Sequence, residues 1–300
     1  MIDARAATEA RPRSVGAGRM SPGTALGNGV MIVGLLYFVI PLVWLFLAST
    51  KSNSGLFSSF GFWFDKDFNL FQNLQDLFAR DGGAFAIWMR NTAIYAFITS
   101  VGSTIIAALA GYAFAVFQFR GRNALFAIIL GSVFVPATIL AVPLYFLFGN
   151  TGLSNTLLAV ILPGLVNPFG VYLMRVYAEK AVPVELLDAA RVDGAGELRI
   201  FTTIALRLLA PGLVTVLLFA LVGAWNNFFL PLLVLRDSEV WLVSLGLANW
   251  ASLAAQPGQA QVLYAIVITG SVVAVLPVML AFLFLQRYWK GGLSLGGVKA

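Results

Sequence analysis

The chain alternates between long apolar runs and shorter polar segments, and six of the apolar runs are long enough to cross a membrane. The first, residues 29–49, has 21 residues, and as a helix it would extend over about 30 Å, the thickness of the bilayer hydrocarbon layer. Lipid offers the backbone no hydrogen-bonding partners, so each run is predicted to be a helix. The predicted spans are residues 29–49, 91–117, 123–148, 156–177, 208–235 and 262–285. The sequence therefore predicts an all-α, polytopic membrane protein.

Arginines precede the first span, a feature that signal peptides share with membrane anchors. The run 29–49 is longer than the apolar region of a signal peptide, and no A-x-A cleavage site follows it. We therefore predict that residues 1–27 form a largely disordered cytoplasmic tail and that residues 28–49 form an uncleaved first helix. Residues 50–87 are too charged to span a membrane and are predicted to form an outer loop.

The longest polar interruption, residues 182–211, is predicted to contain a short helix. Pro183 suits a first helical position, good helix formers follow it, and Gly194 and Gly196 end the run. The helix is amphipathic and would need a protein partner or a lipid headgroup layer. Its charged residues Glu185, Asp188 and Arg191 repeat every three positions on one face, and Leu186, Ala189 and Ala190 share another.

The distribution of basic residues predicts the orientation of the chain. Of the 19 Lys and Arg residues, fourteen fall in the N-terminal tail, in segments 118–122 and 175–207, and in the C-terminal tail. Cytoplasmic segments carry the excess of basic residues. Both termini and the 182–211 segment are therefore predicted to be cytoplasmic. The net charge of +6 is dispersed over these segments, so nucleic acid is not an expected partner.

Composition excludes several kinds of chemistry. The chain is 60% hydrophobic with a mean hydropathy of +0.89, which is typical of polytopic membrane proteins. It contains no Cys and no His, so thiolate chemistry, the commonest metal ligand and the usual general base are missing. We therefore predict no catalytic residue and no metal site. A P-loop for ATP is also missing, because the one Lys followed by Ser or Thr, Lys51, follows no Gly-rich loop.

Small residues and prolines within the spans predict close packing and bent helices. Ser103, Ala107 and Gly111 recur every four residues, the spacing that lets two helix backbones approach closely. Prolines inside or near spans bend helices and free backbone carbonyls, which is common where a solute passes. These prolines are Pro136, Pro143, Pro163, Pro168, Pro231 and Pro277.

The 182–211 segment resembles the cytoplasmic coupling loop, the EAA loop, of binding-protein-dependent ABC importer permeases. Two positions depart from the usual pattern, because Asp188 stands where Glu is commoner and Arg207 stands where Pro usually lies. The matching positions are Pro183, Glu185, Leu186, Asp188, Ala189, Ala190, Asp193, Gly194, Ala195, Phe201, Ile204 and Pro211.

Further motifs resemble the maltose-type carbohydrate permeases, in the same order along residues 28–300. The short outer loop and glycine-rich ending are similar to the MalG-type subunit of the permease pair. The motifs include Asn91-Thr92, residues 110–114 and 119–122, Pro143-Leu144-Tyr145, Trp225-Asn226, Pro231-Leu232 and residues 286–288.

The resemblance implies a type I importer (MetI-like) fold and a domain order. After the tail 1–27, the first helix 28–49 and the extracytoplasmic loop 50–87, residues 88–286 would form the five-helix permease core. This core would include the coupling loop 179–207, and residues 287–300 would be a cytoplasmic tail reaching toward the ATPase. The residues implied to contact the ATPase are Glu185, Asp188, Ala189, Ala190, Asp193, Gly194 and Ala195.

The resemblance also implies partners: a second, MalF-like permease, a cytosolic ATPase dimer and an extracytoplasmic solute-binding protein, in the inner membrane of a prokaryote. ATP and Mg would be bound by the ATPase and no cofactor by this chain. In the maltose system the other permease subunit chiefly holds the sugar.

Two sets of residues are candidate contacts with the solute and with the binding protein. Amide and aromatic side chains in the spans suit a sugar path, although interhelical hydrogen bonds or an interfacial aromatic belt explain them equally well. An apolar cluster in the outer loop 236–261 suits a partner site, although it could also fold back on the spans. The path candidates are Tyr145, Asn167, Tyr172, Trp225, Asn226 and Asn227, and the loop candidates are Trp241, Leu245 and Trp250, with Leu247 beside them.

Two other function classes remain open at the level of sequence. An ion-coupled secondary sugar carrier needs ionisable residues at membrane depth, and from Asn91 onward the spans hold none except Arg175. A membrane-embedded glycosyltransferase needs paired carboxylates at the membrane surface, and outside the coupling loop the sequence offers none. The sequence therefore favours an importer subunit that receives its energy from another protein.

Overall fold

The computed structural model describes residues 22–256 and 260–293, and these residues form helices and turns without a strand. The all-α prediction is therefore confirmed for the described residues. Of the predicted tails 1–27 and 287–300, residues 1–21 and 294–300 lie outside the described residues. The helices are α1 (Pro22–Ser49), α2 (Asn53–Ser58), α3 (Leu70–Ala79), α4 (Ala84–Val116), α5 (Arg122–Ser132), α6 (Ala137–Thr151), α7 (Leu158–Gly164), α8 (Pro168–Ala181), α9 (Val184–Val192), α10 (Glu197–Ile200), α11 (Leu206–Leu208), α12 (Ala210–Trp225), α13 (Phe229–Val234), α14 (Val243–Ala254) and α15 (Ala260–Leu293).

The chain divides into two compact units at Leu45. The described part of the first unit is the N-terminal portion of α1, an apolar helix whose large side chains, including Tyr37 and Phe38, are mostly exposed. Its apolar stretch Leu26–Ser49 has 24 residues, enough to cross about 30 Å of hydrocarbon. The predicted first helix 28–49 is therefore helical, but it begins six residues earlier, at Pro22, so residues 22–27 of the predicted disordered tail are helical.

The number of spans depends on how bent helices are counted. In the described part of the chain, 4 helices are long and apolar enough to cross a membrane, or up to 6 if each bent pair is one span. The predicted third span consists of α5 and α6, which meet at 97° just before Pro136, and the predicted fifth span begins at an 80° bend. Proline removes a backbone donor and disfavours helix in the preceding residue, which accounts for the first break.

The second unit is organised around α4, which packs lengthwise against α8 and α12. Ser103 and Ala107 are buried, and a Cβ on Gly111 would lie 2.6 Å from Cβ of Met174. Only glycine therefore fits at position 111. The small-residue spacing does produce close helix packing, and the partner helix is α8.

A charge in the predicted fourth span is accommodated by neighbouring side chains. The guanidinium of Arg175 lies 3.9 Å from the ring centroid of Phe126 in α5, and its Nε donates to Oε1 of Glu179 over 2.9 Å. Nη2 of Arg122, at the start of α5, lies 3.8 Å from the same oxygen. Arg175 therefore ties α5 to the end of α8 through a cation–π contact and an ion pair.

A buried lysine organises the segment after the first span. The Lys51 side chain is 1% exposed, and its Nζ donates to Oγ of Ser59 and to the carbonyl of Phe60 over 2.8 and 2.7 Å. Asn73 of α3 donates to the carbonyls of Ser49 and Lys51. The outer segment 50–87 is therefore folded by specific polar contacts, and its exposed aromatic side chains are Phe57, Phe60, Phe62, Trp63, Phe64, Phe68, Phe71 and Phe78.

The last helix, α15, is longer than the predicted sixth span. It begins at Ala260 and runs to Leu293 through Pro277, whereas the sequence predicted a span of residues 262–285 and a tail from residue 287. Residues 287–293 therefore continue the helix.

Candidate functional site

Helix α9, the predicted coupling helix, begins directly after Pro183, which is the N-cap rather than the first helical residue. The sequence-predicted faces of α9 are partly wrong. Leu187 is fully buried and Ala190 is 9% exposed, whereas Leu186 and Ala189 are exposed. The inward face therefore consists of residues 187 and 190, which join the cluster formed by the ends of α4 and α8.

The outward face of α9 combines acidic and small apolar residues. Glu185 and Asp188 are exposed, as are Leu186 at 43% and Val184 at 59%. An exposed helix surface with apolar side chains beside carboxylates suits contact with a protein partner. Of the remaining implied contact residues, Asp193 and Gly194 are exposed, Ala195 is half-buried and Ala190 faces the core.

The end of α9 is a Schellman turn built on Gly194. Its φ is +81°, its N–H donates to the carbonyl of Arg191 over 3.0 Å, and the N–H of Ala195 donates to the carbonyl of Ala190 over 3.0 Å. These two hydrogen bonds satisfy carbonyls at the end of the helix, and they require a residue in the left-handed conformation. A Cβ on Gly194 would meet no atom within 4 Å, so the conformation, not crowding within this chain, selects glycine.

Arg191 makes two ionic contacts at this turn, one to Glu197 of α10 and one to Asp188 within α9. Nε of Arg191 lies 2.7 Å from Oε1 of Glu197, and Nη1 lies 2.8 Å from Oδ1 of Asp188. These hydrogen bonds, that of Glu197 first, raise the pKa of the Arg191 side chain above its usual value. The charged row predicted at 185, 188 and 191 is therefore partly neutralised within the chain.

The segment after the turn is a bent helix that carries Arg207. Residues Phe201–Ala205 have π-helical hydrogen bonding, and Oγ1 of Thr203 donates to the carbonyl of Arg199 over 2.6 Å. Such side-chain bonds and π segments bend helices. The helix continues through the exposed Arg207 and bends at Leu209, just before Pro211, so residue 207 lies at the end of the helical segment before the bend.

Two of the six path candidates, Asn167 and Asn227, line the same cavity. It has a volume of about 400 Å³ and lies between α4, the break between α7 and α8, and α12. A more apolar cavity of about 600 Å³ adjoins it and shares both asparagines. The lining of the first cavity is Tyr95, Thr99, Ser103, Ala137, Gly164, Val166, Asn167, Phe169, Val216, Phe219, Ala220, Gly223, Ala224 and Asn227.

The other four path candidates line neither of these cavities. Nε1 of Trp225 donates to the carbonyl of Ala274 in α15 over 3.0 Å, the interhelical hydrogen bond that the sequence offered as an alternative. Nδ2 of Asn226 donates within its own helix. The hydroxyl of Tyr145 accepts from Arg236, and the Tyr172 ring stacks on that of Phe126.

Sequence reasoning missed the polar face of α4 that completes the cavity. Tyr95, Thr99 and Ser103 lie four residues apart, so they share one side of the helix. The hydroxyl of Tyr95 accepts a hydrogen bond from Nδ2 of Asn227 over 2.7 Å. The four-residue spacing of Ser103 was noted as packing, and extending the same row toward the N terminus of α4 would have identified Thr99 and Tyr95.

Two residues of the apolar cluster in segment 236–261 are buried, which agrees with the alternative that this segment folds back on the spans. Leu245 is 5% exposed and Trp250 is 1% exposed. The ring of Trp250 lies 4.5 Å from that of Trp88, and its Nε1 donates to Oδ2 of Asp81 over 3.0 Å. Trp241 is half-buried, 5.9 Å from Trp88. The loop folds back on α4 because burial of these rings removes a large apolar area from water.

Comparison with known sequences identifies relatives over nearly the whole chain. Residues 103–290 match the sequence model of the family described as binding-protein-dependent transport system inner membrane component. An arabinooligosaccharides transport system permease protein, AraQ, of Halalkalibacterium halodurans is 37% identical over 87% of this chain and 91% of its own length. The lactose transport system permease protein LacG of Rhizobium radiobacter is 30% identical over 90% and 94%.

Comparison with solved structures finds the same fold. A chain in the crystal structure of a bacterial ABC transporter involved in the import of the acidic polysaccharide alginate superposes with a TM-score of 0.77. The two chains are 23% identical, and the match covers 91% of this chain and 100% of the other.

Proposed function

We infer the function of this chain from its family: it belongs to the binding-protein-dependent transport system inner membrane component family, whose members are membrane permeases rather than enzymes. We propose that it is the permease subunit of an ATP-binding-cassette importer that moves a carbohydrate across the cytoplasmic membrane. The energy comes from ATP hydrolysis by a separate subunit, which holds ATP and Mg, and this chain binds no cofactor.

The observation that carries this proposal is the construction of α9. Its inner face is anchored through the fully buried Leu187, while Glu185, Leu186 and Asp188 remain exposed. A helix that is fixed to a packed core on one side and unoccupied on the other can transmit force from a docked partner. We propose that the ATPase docks on this outer face and on the turn at Gly194.

Three partners follow from the family in general terms: a second permease, an ATPase and a binding protein. We propose a MalF-like partner subunit, a dimer of the ATPase and an extracytoplasmic solute-binding protein that docks on the side of the 50–87 and 236–261 segments. The binding-protein contacts there fall on exposed residues, since Leu245 and Trp250 are buried.

We propose that both termini and α9 are cytoplasmic, on the basis of the basic-residue distribution. A reporter that is active only outside the cytoplasm should work when fused after Ala79 and should fail after Gly196. Activity of both fusions or of neither would contradict the orientation.

The substrate class is proposed from the relatives, which are named for transport of arabinooligosaccharides and of lactose. The complex should be purified with its co-encoded partners and placed in proteoliposomes that contain ATP. We expect uptake of labelled arabinotriose or lactose that requires ATP and the loaded binding protein. Uptake by this chain alone, driven by an ion gradient, would instead support a secondary carrier.

A further inference from the structure

The hydroxyl of Thr99 lacks the hydrogen bond that two other threonines of α4 make. Threonines in helices commonly donate to the carbonyl four residues earlier, and two others in α4 do so: Thr92 donates to Trp88 over 2.8 Å and Thr104 to Ser100 over 2.6 Å. Thr99 is 4% exposed, and its Oγ1 has no hydrogen-bond partner among the described residues. Buried polar groups are nearly always paired, so this one calls for a partner.

Thr99 belongs to the wall of the 400 Å³ cavity, as does Tyr95. Across from α4, a Cβ on Gly164 would lie 2.6 Å from Cγ2 of Thr99 and 3.5 Å from the Tyr95 hydroxyl. Glycine at 164 therefore places no side chain against these two buried residues. Because the Tyr95 oxygen accepts from Asn227, the phenol proton remains available to a second acceptor.

The chemistry of the lining selects a neutral ligand with hydroxyl groups. Its polar members are three hydroxyl side chains and two amides, and none of its fourteen residues is charged. The rings of Phe169 and Phe219 form an edge-to-face pair with centroids 6.0 Å apart and supply apolar surface. A charged group would find no opposite charge in this wall, and removing it from water would be costly. A volume near 400 Å³ falls within the range of small-molecule sites.

We propose that Thr99, Tyr95 and the two asparagines form a subsite in this chain for the hydroxyl groups of a neutral saccharide. The Thr99 hydroxyl exchanges hydrogen bonds with one sugar hydroxyl, and the asparagine and tyrosine groups hold its neighbours. The subsite rests on the proposed transport of a carbohydrate, and it places solute binding in this subunit as well as in its partner.

The absence of cysteine from the chain provides a direct test. Thr99→Cys and, as a matched control, Thr104→Cys each introduce the sole thiol of this subunit into the assembled complex. Thr104 lies on the same helix but does not line the 400 Å³ cavity, and its hydroxyl donates a hydrogen bond to the carbonyl of Ser100. We expect a small polar methanethiosulfonate reagent to modify Thr99→Cys faster than Thr104→Cys, as measured by the mass of this chain. Arabinotriose or lactose should slow modification of Thr99→Cys only. Equal rates for the two variants, or no protection by the sugar that is transported, would overturn the subsite.

A second measurement separates hydrogen bonding from shape. Thr99→Val keeps the shape and removes the hydroxyl, Thr99→Ser restores it, and Thr104→Val makes the same change outside the cavity. We expect Thr99→Val to lower sugar uptake about three- to tenfold, the factor that one hydrogen bond supplies, and the other two variants to stay near wild type. Equal uptake by Thr99→Val and Thr104→Val contradicts the subsite. If the wild-type complex takes up neither sugar, the carbohydrate function itself is contradicted.

Discussion

Arg191 and Glu197 form a two-point contact across the turn that follows α9, with Nε and Nη2 of the arginine 2.7 and 3.3 Å from the two carboxylate oxygens. An exposed ion pair adds little to stability by itself. The paired geometry nevertheless restricts how α9 is oriented against α10. This ion pair and the buried Leu187 together hold α9 and the start of α10 in a fixed relative orientation.

Bulky substitution of Gly194 should abolish both transport and the stimulation of ATP hydrolysis. Gly194→Ala should cost about 1 kcal/mol, because φ there is +81°. Gly194→Tyr should also block the approach of the ATPase, so we expect normal membrane insertion and pairing with the second permease but loss of uptake and of stimulated ATP hydrolysis. Gly196→Ala is the control, because this residue has ordinary φ and open space around it. Normal uptake by Gly194→Tyr would remove the coupling role.

Charge reversal at Asp188 should weaken attachment of the ATPase. Asp188→Lys would place an ammonium beside Arg191 and cancel the negative charge that Glu185 and Asp188 give the outer face, so we expect less ATPase to copurify with the permease. Asp188→Glu keeps the charge and should be mild. Glu197→Gln removes the other partner of Arg191 and controls for loss of the ion pair alone. Equal losses in Glu197→Gln and Asp188→Lys would show that the effect comes from the turn and not from docking.

The contact between α4 and α8 should depend on the missing side chain at position 111. Gly111→Val would drive its methyl groups into Met174 and the backbone of Arg175, so we expect a loss of about 1–3 kcal/mol and a lower melting temperature in detergent. Gly149→Ala, in α6 where a Cβ meets nothing, should leave the melting temperature unchanged or raise it. Equal melting temperatures for the two variants would contradict the packing.

Trp250 should act on stability, not on docking of the binding protein. Trp250→Ala would empty a buried site against Trp88 and leave Asp81 without its donor, at a cost of about 3–5 kcal/mol. We expect less folded permease in the membrane, measured by immunoblot and by thermal denaturation. Trp250→Phe, which keeps most of the ring packing, should recover much of the protein. Full abundance of Trp250→Ala with weakened docking would instead restore a surface role.

The family and the helical architecture could be predicted from the sequence because apolar runs and motif order are local signals. The family model and the AraQ relative confirm the resemblance. Helix bends were harder to predict: Pro136 was noted as a possible break, but the 97° angle between α5 and α6 depends on what each half packs against. The count of six spans therefore stays a prediction.

The details of the candidate sites were predicted unevenly. The end of α9 at Gly194 was predicted, since glycine after a helix is a strong local signal. The inward face of α9 was not, because Leu186 and Leu187 are equally apolar and only the tertiary contact selects residue 187. Burial of Trp250 depends on Trp88 and Asp81, far away in the chain, and such pairings leave no trace in spacing.

The enclosed amine of Lys51 gives the outer segment a built-in chemical reporter. Its Nζ is held by Ser59 and by the carbonyl of Phe60, whereas Lys66 in the same segment is exposed. An amine-acylating reagent applied to intact cells should therefore modify residue 66 and spare residue 51 as long as the segment keeps its fold. The ratio of the peptides acylated at residues 51 and 66 would then report any opening of this segment when a loaded binding protein docks.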